Sequence, residues 1–312
     1  MITYHLKICH TFRARRLFYS LRYVSKSASA DGASQNYCMN LVKRYDKENF
    51  LCTLLLKNPE RRFALAIRAL NVEIARISDT VSDDKIGQMR LKFWEDTLDK
   101  LYKNDSQAIP EQPVVQEVKQ VIDSQKLSKR YFQRLISSRR NANLRFVTTK
   151  ELEEYAENTV SSVMYLLLEA HGVKNVHADH AASHLGKAQG IVNLLRSIPR
   201  QERRSAVPVP QEVLMQHGVS QEHVLRNRKD DKGVEEVIFQ LAGLANQHLE
   251  KARNLWGSVP KRAKPVFLPG VATGRFLERL RRVNFHLTDP NLLRTDAMLP
   301  LAIYWSYFRR NF

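Results

Sequence analysis

The sequence of 312 residues predicts an all-α protein with a single domain beginning near residue 35. Three observations carry that prediction. Apolar residues recur at three- and four-residue steps almost throughout, the spacing that lines one face of a helix. Clusters of proline and glycine cut the pattern into helix-length pieces. No stretch alternates between apolar and polar residues for long enough to make a strand.

Taken in order, Phe63, Ile67, Leu70, Ile74 and Ile77 form one helical stripe, and Met89, Phe93, Trp94, Thr97 and Leu98 predict the same for the next helix. A third stripe runs through Leu152, Tyr155, Ala156, Thr159, Val163 and Leu167. Its start carries a capping-box pattern, Thr148 with Glu151 three residues on, and Glu153 adds negative charge to the first turn. A long helix is expected over 178–195, and others near 234–255 and 299–308. In the last of these, Pro300 sits in the first turn, where its missing N–H does no harm. Breaks are expected at Asn58-Pro59, 109–113, His171-Gly172, 208–210 and 265–274.

The chain is strongly basic: 50 Lys and Arg against 32 Asp and Glu, a net charge of +18. Residues 1–30 hold Lys7, Arg13, Arg15, Arg16, Arg22 and Lys26 and no acid, which leaves 44 basic against 32 acidic residues, a net of +12, for the remainder. An acid-free, Arg-rich opening without a continuous apolar core has the composition of a mitochondrial transit peptide, expected to occupy residues 1–34; a disordered basic segment is the alternative. Three cysteines (Cys9, Cys38 and Cys52) make no disulfide framework, and their spacing suggests no zinc site. The longest apolar runs, 163–168 and 298–305, fall well short of a membrane span, so membrane association should be peripheral. No nucleic-acid-binding module is visible, and no nucleic-acid partner is expected.

Several segments, in order, resemble the squalene/phytoene synthase family. Asn49-Phe50 through Leu54-Leu55-Leu56, then Arg61-Arg62 and Ala66-Ile67-Arg68-Ala69-Leu70-Asn71, resemble its opening helices, and Arg90 with Phe93-Trp94 resembles the Arg–Trp helix that follows. Gln189-Gly190-Ile191-Val192-Asn193-Leu194-Leu195-Arg196 is similar to the signature Gln-x-x-Asn-Ile-Leu-Arg-Asp, and Ala206-Val207-Pro208-Val209-Pro210 with His217-Gly218-Val219 to a later Pro and Gly-Val stretch. The resemblance covers most of 37–310 and implies an isoprenoid-synthase-like helical bundle, spanning 35–312, around a central cavity. The runs from Tyr37-Cys38-Met39 to Leu56, Asn71-Val72-Glu73 and 177–190 resemble a mitochondrial branch of that family. That narrower likeness implies residence on the matrix side of the inner membrane, a role in building respiratory complex I, and complex I subunits or assembly intermediates as partners.

The synthases of the family ionise an allylic diphosphate, and the leaving group needs Mg²⁺ held by carboxylates from two facing helices. Here the first motif, Asp-Asp-x-x-Asp, falls on Ala75-Arg76-Ile77-Ser78-Asp79, with a cation at Arg76 where a metal ligand belongs. The second, Arg-Asp-x-x-x-Asp, becomes Arg196-Ser197-Ile198-Pro199-Arg200-Gln201 and keeps neither acid, while Pro199 should end the helix early. Ala75, Arg76, Asp79, Ser197 and Gln201 are therefore degenerate metal-motif positions; no catalytic residue, metal or cofactor is expected. Asp79, Asp83 and Asp84 offer a shifted metal site or a solvated helix end.

The retained Arg68, Gln189, Asn193 and Arg196 are the candidate cavity or ligand-binding residues, for a polar head group or simply for holding neighbouring helices together. His177, His180 and His184 share one helix face, as a metal or pH-sensitive site or as packing and capping. Arg139-Arg140, Arg203-Arg204 and the group Arg279, Arg281 and Arg282 would attract anionic inner-membrane lipid, or form solvated faces. The expectation is a non-catalytic complex I assembly factor, with a residual prenyl-diphosphate transferase or an isoprenoid- or lipid-binding protein as the alternative.

Overall fold

The computed structural model describes residues 30–81, 83–103, 109–140, 144–200, 207–226 and 231–312. The chain begins with α1 (Ala30–Tyr45), α2 (Lys47–Leu54), α3 (Glu60–Ala75), the short α4 (Ile77–Thr80) and α5 (Asp84–Lys103). It continues through α6 (Pro113–Gln125), α7 (Lys129–Ser137), α8 (Thr149–Ala156), a π-helical turn at Glu157–Ser161, and α9 (Ser162–Ala170). Then come α10 (Val176–Ser197), α11 (Gln211–Gln216), α12 (Gln221–Arg226), α13 (Lys232–Asn254), α14 (Pro269–Arg282), α15 (Pro290–Leu293) and α16 (Leu299–Arg309). No strand occurs among the described residues. None of their helices is long and apolar enough to cross a membrane.

The middle of the bundle is α10, which packs against α13, α8, the π turn, α9 and α14. On the other side α3 sits among α1, α6 and α9. Both central helices carry small residues where neighbours come closest: Ala64, Ala66 and Ala69 in α3, and Ala178, Ala181, Ala182 and Ala188 in α10, are all fully buried. Gly186 and Gly190 take this furthest. A Cβ at Gly186 would stand 2.1 Å from Ser161 Oγ, and one at Gly190 2.5 Å from the Ala156 Cβ. The α8–α9 backbone thus rests directly on α10, and it is there that the helix widens into its π turn.

The Phe63, Ile67, Leu70 and Ile74 stripe is buried as its spacing predicts, with Ile77 following in α4. Thr148 caps α8 by accepting from the Glu151 N–H, while the Glu151 carboxylate accepts from Val147 N rather than from the cap residue itself. Pro199 follows the end of α10 in a 3₁₀ turn, and Pro300 lies in the first turn of α16, both as expected. Three readings need correction. Met89 and Phe93 face solvent; the buried stripe of α5 is Leu91, Trp94, Thr97, Leu98 and Leu101, since the core lies on that side. The 149–170 stripe is one helix interrupted by the π turn. The break expected over 265–274 closes by Pro269, where α14 starts, and Gly270 sits inside that helix because the Phe312 ring occupies the place of a Cβ.

The expected presequence over 1–34 lies outside the described residues as far as residue 29. Ala30 already belongs to α1, and the buried Ser34 hydroxyl donates to Gln116 Oε1 at 2.7 Å.

Candidate functional site

A two-lobed cavity opens between α2, α3, α10 and the 290–300 segment. The first lobe, of about 650 Å³, is walled by α3, α4, the α8–α9 helix and α10. The second, of about 910 Å³, is walled by α2, the end of α10, α14 and the segment around α15. Tyr45, Asp46, Asn49, Asp79, Gln189 and Asn193 line both lobes and so mark where they meet.

A chain of polar side chains crosses that junction. Gln189 donates to Asn49 Oδ1 at 3.3 Å, and Asn49 donates to Asp46 Oδ1 at 2.8 Å. Asp46 faces Arg68 at 3.7 Å. Burial pushes the Asp46 carboxyl up and the Arg68 guanidinium down, so desolvation outweighs the attraction between them on both sides. Arg68 Nε is buried without a hydrogen-bond partner. Beside this chain Asn193 is open to the cavity. Arg196 donates to Glu48 at 2.6 Å and lies over the Phe276 ring, 4.4 Å from its centroid. The four candidate residues Arg68, Gln189, Asn193 and Arg196 therefore do meet around one cavity. Three of them also tie helices together: Arg68 and Gln189 hold α2, α3 and α10 in register through Asp46 and Asn49, and Arg196 pins α10 to α2.

The order of helices and this cavity invite comparison with known proteins. The squalene/phytoene synthase family model matches residues 42–300. The chain belongs to the squalene/phytoene synthase family. A relative in Drosophila melanogaster, "NADH dehydrogenase (ubiquinone) complex I, assembly factor 6 homolog", is 49% identical over 91% of this chain and 86% of its own length. The Homo sapiens "NADH dehydrogenase (ubiquinone) complex I, assembly factor 6" is 42% identical over 92% of this chain and 86% of its own. The fold is that of a solved dehydrosqualene synthase, with a TM-score of 0.75 over 89% of this chain and 98% of the other, at 19% identity.

The Mg²⁺ that the synthases of this family use would require several carboxylates converging from facing helices. Of the positions expected from sequence to be degenerate metal-motif sites, Ala75, Arg76 and Asp79 line the first lobe and Ser197 lines the second; Gln201 lies outside the described residues. The Arg76 guanidinium covers the Tyr45 ring at 3.6 Å, and Ser197 turns its hydroxyl back to the Leu194 carbonyl at 2.7 Å. The cavity's other junction carboxylate, Asp46, is committed to Asn49 and Arg68. Among the described residues no three His, Cys, Asp or Glu side chains come together as a metal site. These residues do not fit Mg²⁺. Asp83 and Asp84 also have a helix-terminal role: they stand at the start of α5, where the Asp83 carboxylate accepts from Lys85 N at 2.8 Å. Negative charge at that end of a helix is favourable.

The three histidines of α10 do not act together. His177 and His180 are exposed, whereas His184 turns to α13 and meets His248, the two Nδ1 atoms 2.9 Å apart. The basic groups are largely occupied. Arg139 donates to Leu135 O and Asn71, Arg140 pairs with Glu95, and Arg281 and Arg282 share Glu278. Arg279 holds the Asn291, Leu292 and Arg294 carbonyls; Arg203 and Arg204 lie outside the described residues. Sequence reasoning missed Tyr45, Asp46 and Asn49 at the junction. Their signal was an Asp three residues before an Asn at the start of a helix, a pattern too common to single out.

Proposed function

We propose that this chain is a non-catalytic assembly factor for mitochondrial respiratory complex I, the NADH:ubiquinone oxidoreductase. It works on the matrix side of the inner membrane, on complex I subunits or assembly intermediates, and touches anionic lipid peripherally. Residues 1–34 serve as the transit peptide and 35–312 as the working domain. The observation that carries this reading is the cavity's donor set: a cation at Arg76, a neutral Ser197 and a committed Asp46 in place of a metal clamp. A fold that keeps its cavity and loses its clamp can bind but is not equipped to ionise a diphosphate. The names of the relatives, identical at 42–49% over nine-tenths of the chain, supply the biological setting.

The test is native-gel separation of the respiratory complexes after depletion of the chain. Complex I should fall while the other complexes hold, and the wild-type chain should restore it. Intact complex I would refute the reading. One observation favours a second role alongside it: the buried, unpartnered Arg68 Nε beside an open cavity suits an isoprenoid or lipid with a polar head. Such a ligand would bind without turnover.

A further inference from the structure

We propose that the outer face of α16, with the loop leading into it, is a docking surface for an anionic phospholipid bilayer. This deepens the peripheral lipid contact proposed above and rests on it, but not on the complex I role. The helix is apolar on both sides. Its inner side, Leu299 and Ile303 with Tyr307, packs on Cys52, Leu268 and Ala272. Its outer side presents Leu301, Tyr304, Trp305 and Phe308, at steps of three, one and three residues, with relative exposures of 60, 60, 54 and 72%. An apolar helix normally buries its whole circumference. Here half of it is bare, and Met298 in the preceding loop and Leu293 at the end of α15 are exposed apolar residues as well.

Composition and charge choose the occupant. Trp, Tyr and Phe beside Arg are the side chains that settle at the head-group level of a bilayer, with the ring body apolar and its edge or the guanidinium wet. Arg294, Arg309 and Arg310 are exposed, and none is ion-paired among the described residues; Arg309 lies over the Trp305 ring at 4.5 Å. The one acid between residues 290 and 312 is Asp296, and Arg275 neutralises it through two bonds of 2.6 and 2.9 Å. The face is therefore apolar with an uncompensated positive rim, complementary to a negative lipid surface. It also adjoins the mouth of the second lobe, which Leu293, Arg294, Ala297 and Pro300 line. Docking would turn that mouth toward the lipid.

The test is flotation of the purified chain with phosphatidylcholine vesicles, either pure or containing about one-fifth cardiolipin. The wild type should float with the cardiolipin vesicles and stay behind with the pure ones. Arg294→Gln with Arg309→Gln removes two cations and should weaken binding about thirty-fold, at roughly one unit of surface attraction per cation. Trp305→Ser with Phe308→Ser, both at exposed positions, should abolish flotation while leaving the circular dichroism unchanged. Wild-type Trp fluorescence should shift to the blue on vesicle addition, and Trp305→Phe should lose that shift yet still float. Equal flotation with both vesicle types, or undiminished flotation of the Trp305/Phe308 variant, would overturn the proposal. So would a wild-type dimer that this variant converts to monomer, because a second copy would then be the occupant. Loss of flotation with complex I still restored in depleted cells would leave the assembly reading standing and show that lipid docking is separable from it.

Discussion

The Nδ1 atoms of His184 and His248 face each other at 2.9 Å, so one must donate and the other accept. The accepting ring has to be neutral. Burial, then the neighbouring His248, Lys251 and Lys187, hold the His184 imidazole down to about 4 against an ordinary 6.5, with Glu157 opposing them. Burial also lowers His248, which Glu153 partly offsets. The unfolded chain takes up a proton near 6.5 that the folded chain refuses until about 4. Stability should therefore be full above the unfolded value, fall as the pH drops through that window, and level off below it. His184→Gln should lose less between about pH 7 and about pH 5 than the wild type, measured as the shift in urea midpoint. Some loss should persist, because His248 remains. An identical loss in both proteins would remove the histidine pair from the explanation. None of this was legible in the sequence, where His177, His180 and His184 read as one stripe. The partner of His184 is 64 residues away, and only the packing of α10 on α13 brings it close.

The elements were easier to read than their faces. Helix positions followed from period and punctuation, and Pro199 and Pro300 stop and start α10 and α16 where backbone chemistry says they should. Period alone misplaces the buried face of α5, because Met89 and Phe93 are apolar at helical spacing and still exposed: hydrophobicity permits burial without compelling it. The π turn was invisible for a different reason. It arises where α8–α9 rests on Gly186 and Gly190, and that contact joins segments distant in sequence. Gly186→Ala places a methyl 2.1 Å from Ser161 Oγ and 2.5 Å from Ser161 Cα, against backbone that cannot simply rotate away. The substitution should cost roughly 1–3 kcal/mol as the two helices are forced apart. Chemical denaturation would show it as a lower midpoint, and an unchanged midpoint would mean that the layer is looser than its spacing implies.

At the scale of the whole molecule, the chain has the family fold and a two-lobed cavity lined by Ala75, Arg76, Asp79 and Ser197. That Ala75, Arg76 and Ser197 line a cavity was legible because the motifs around them, from Arg68 to Asn71 and from Gln189 to Arg196, keep their order. The polar chain from Gln189 through Asn49 to Asp46 and Arg68 was not, since it joins three helices. Asp46 illustrates why a carboxylate count alone misleads: an acid does line the cavity junction, but Asn49 and Arg68 already engage it. On the function proposed above, this cavity does not carry out the synthases' reaction. The most direct measurement is incubation of the purified chain with allylic prenyl diphosphates, with and without Mg²⁺, following diphosphate release and prenyl coupling. No release above the protein-free control is expected in either condition. Mg²⁺-dependent release with formation of a coupled prenyl product would contradict it.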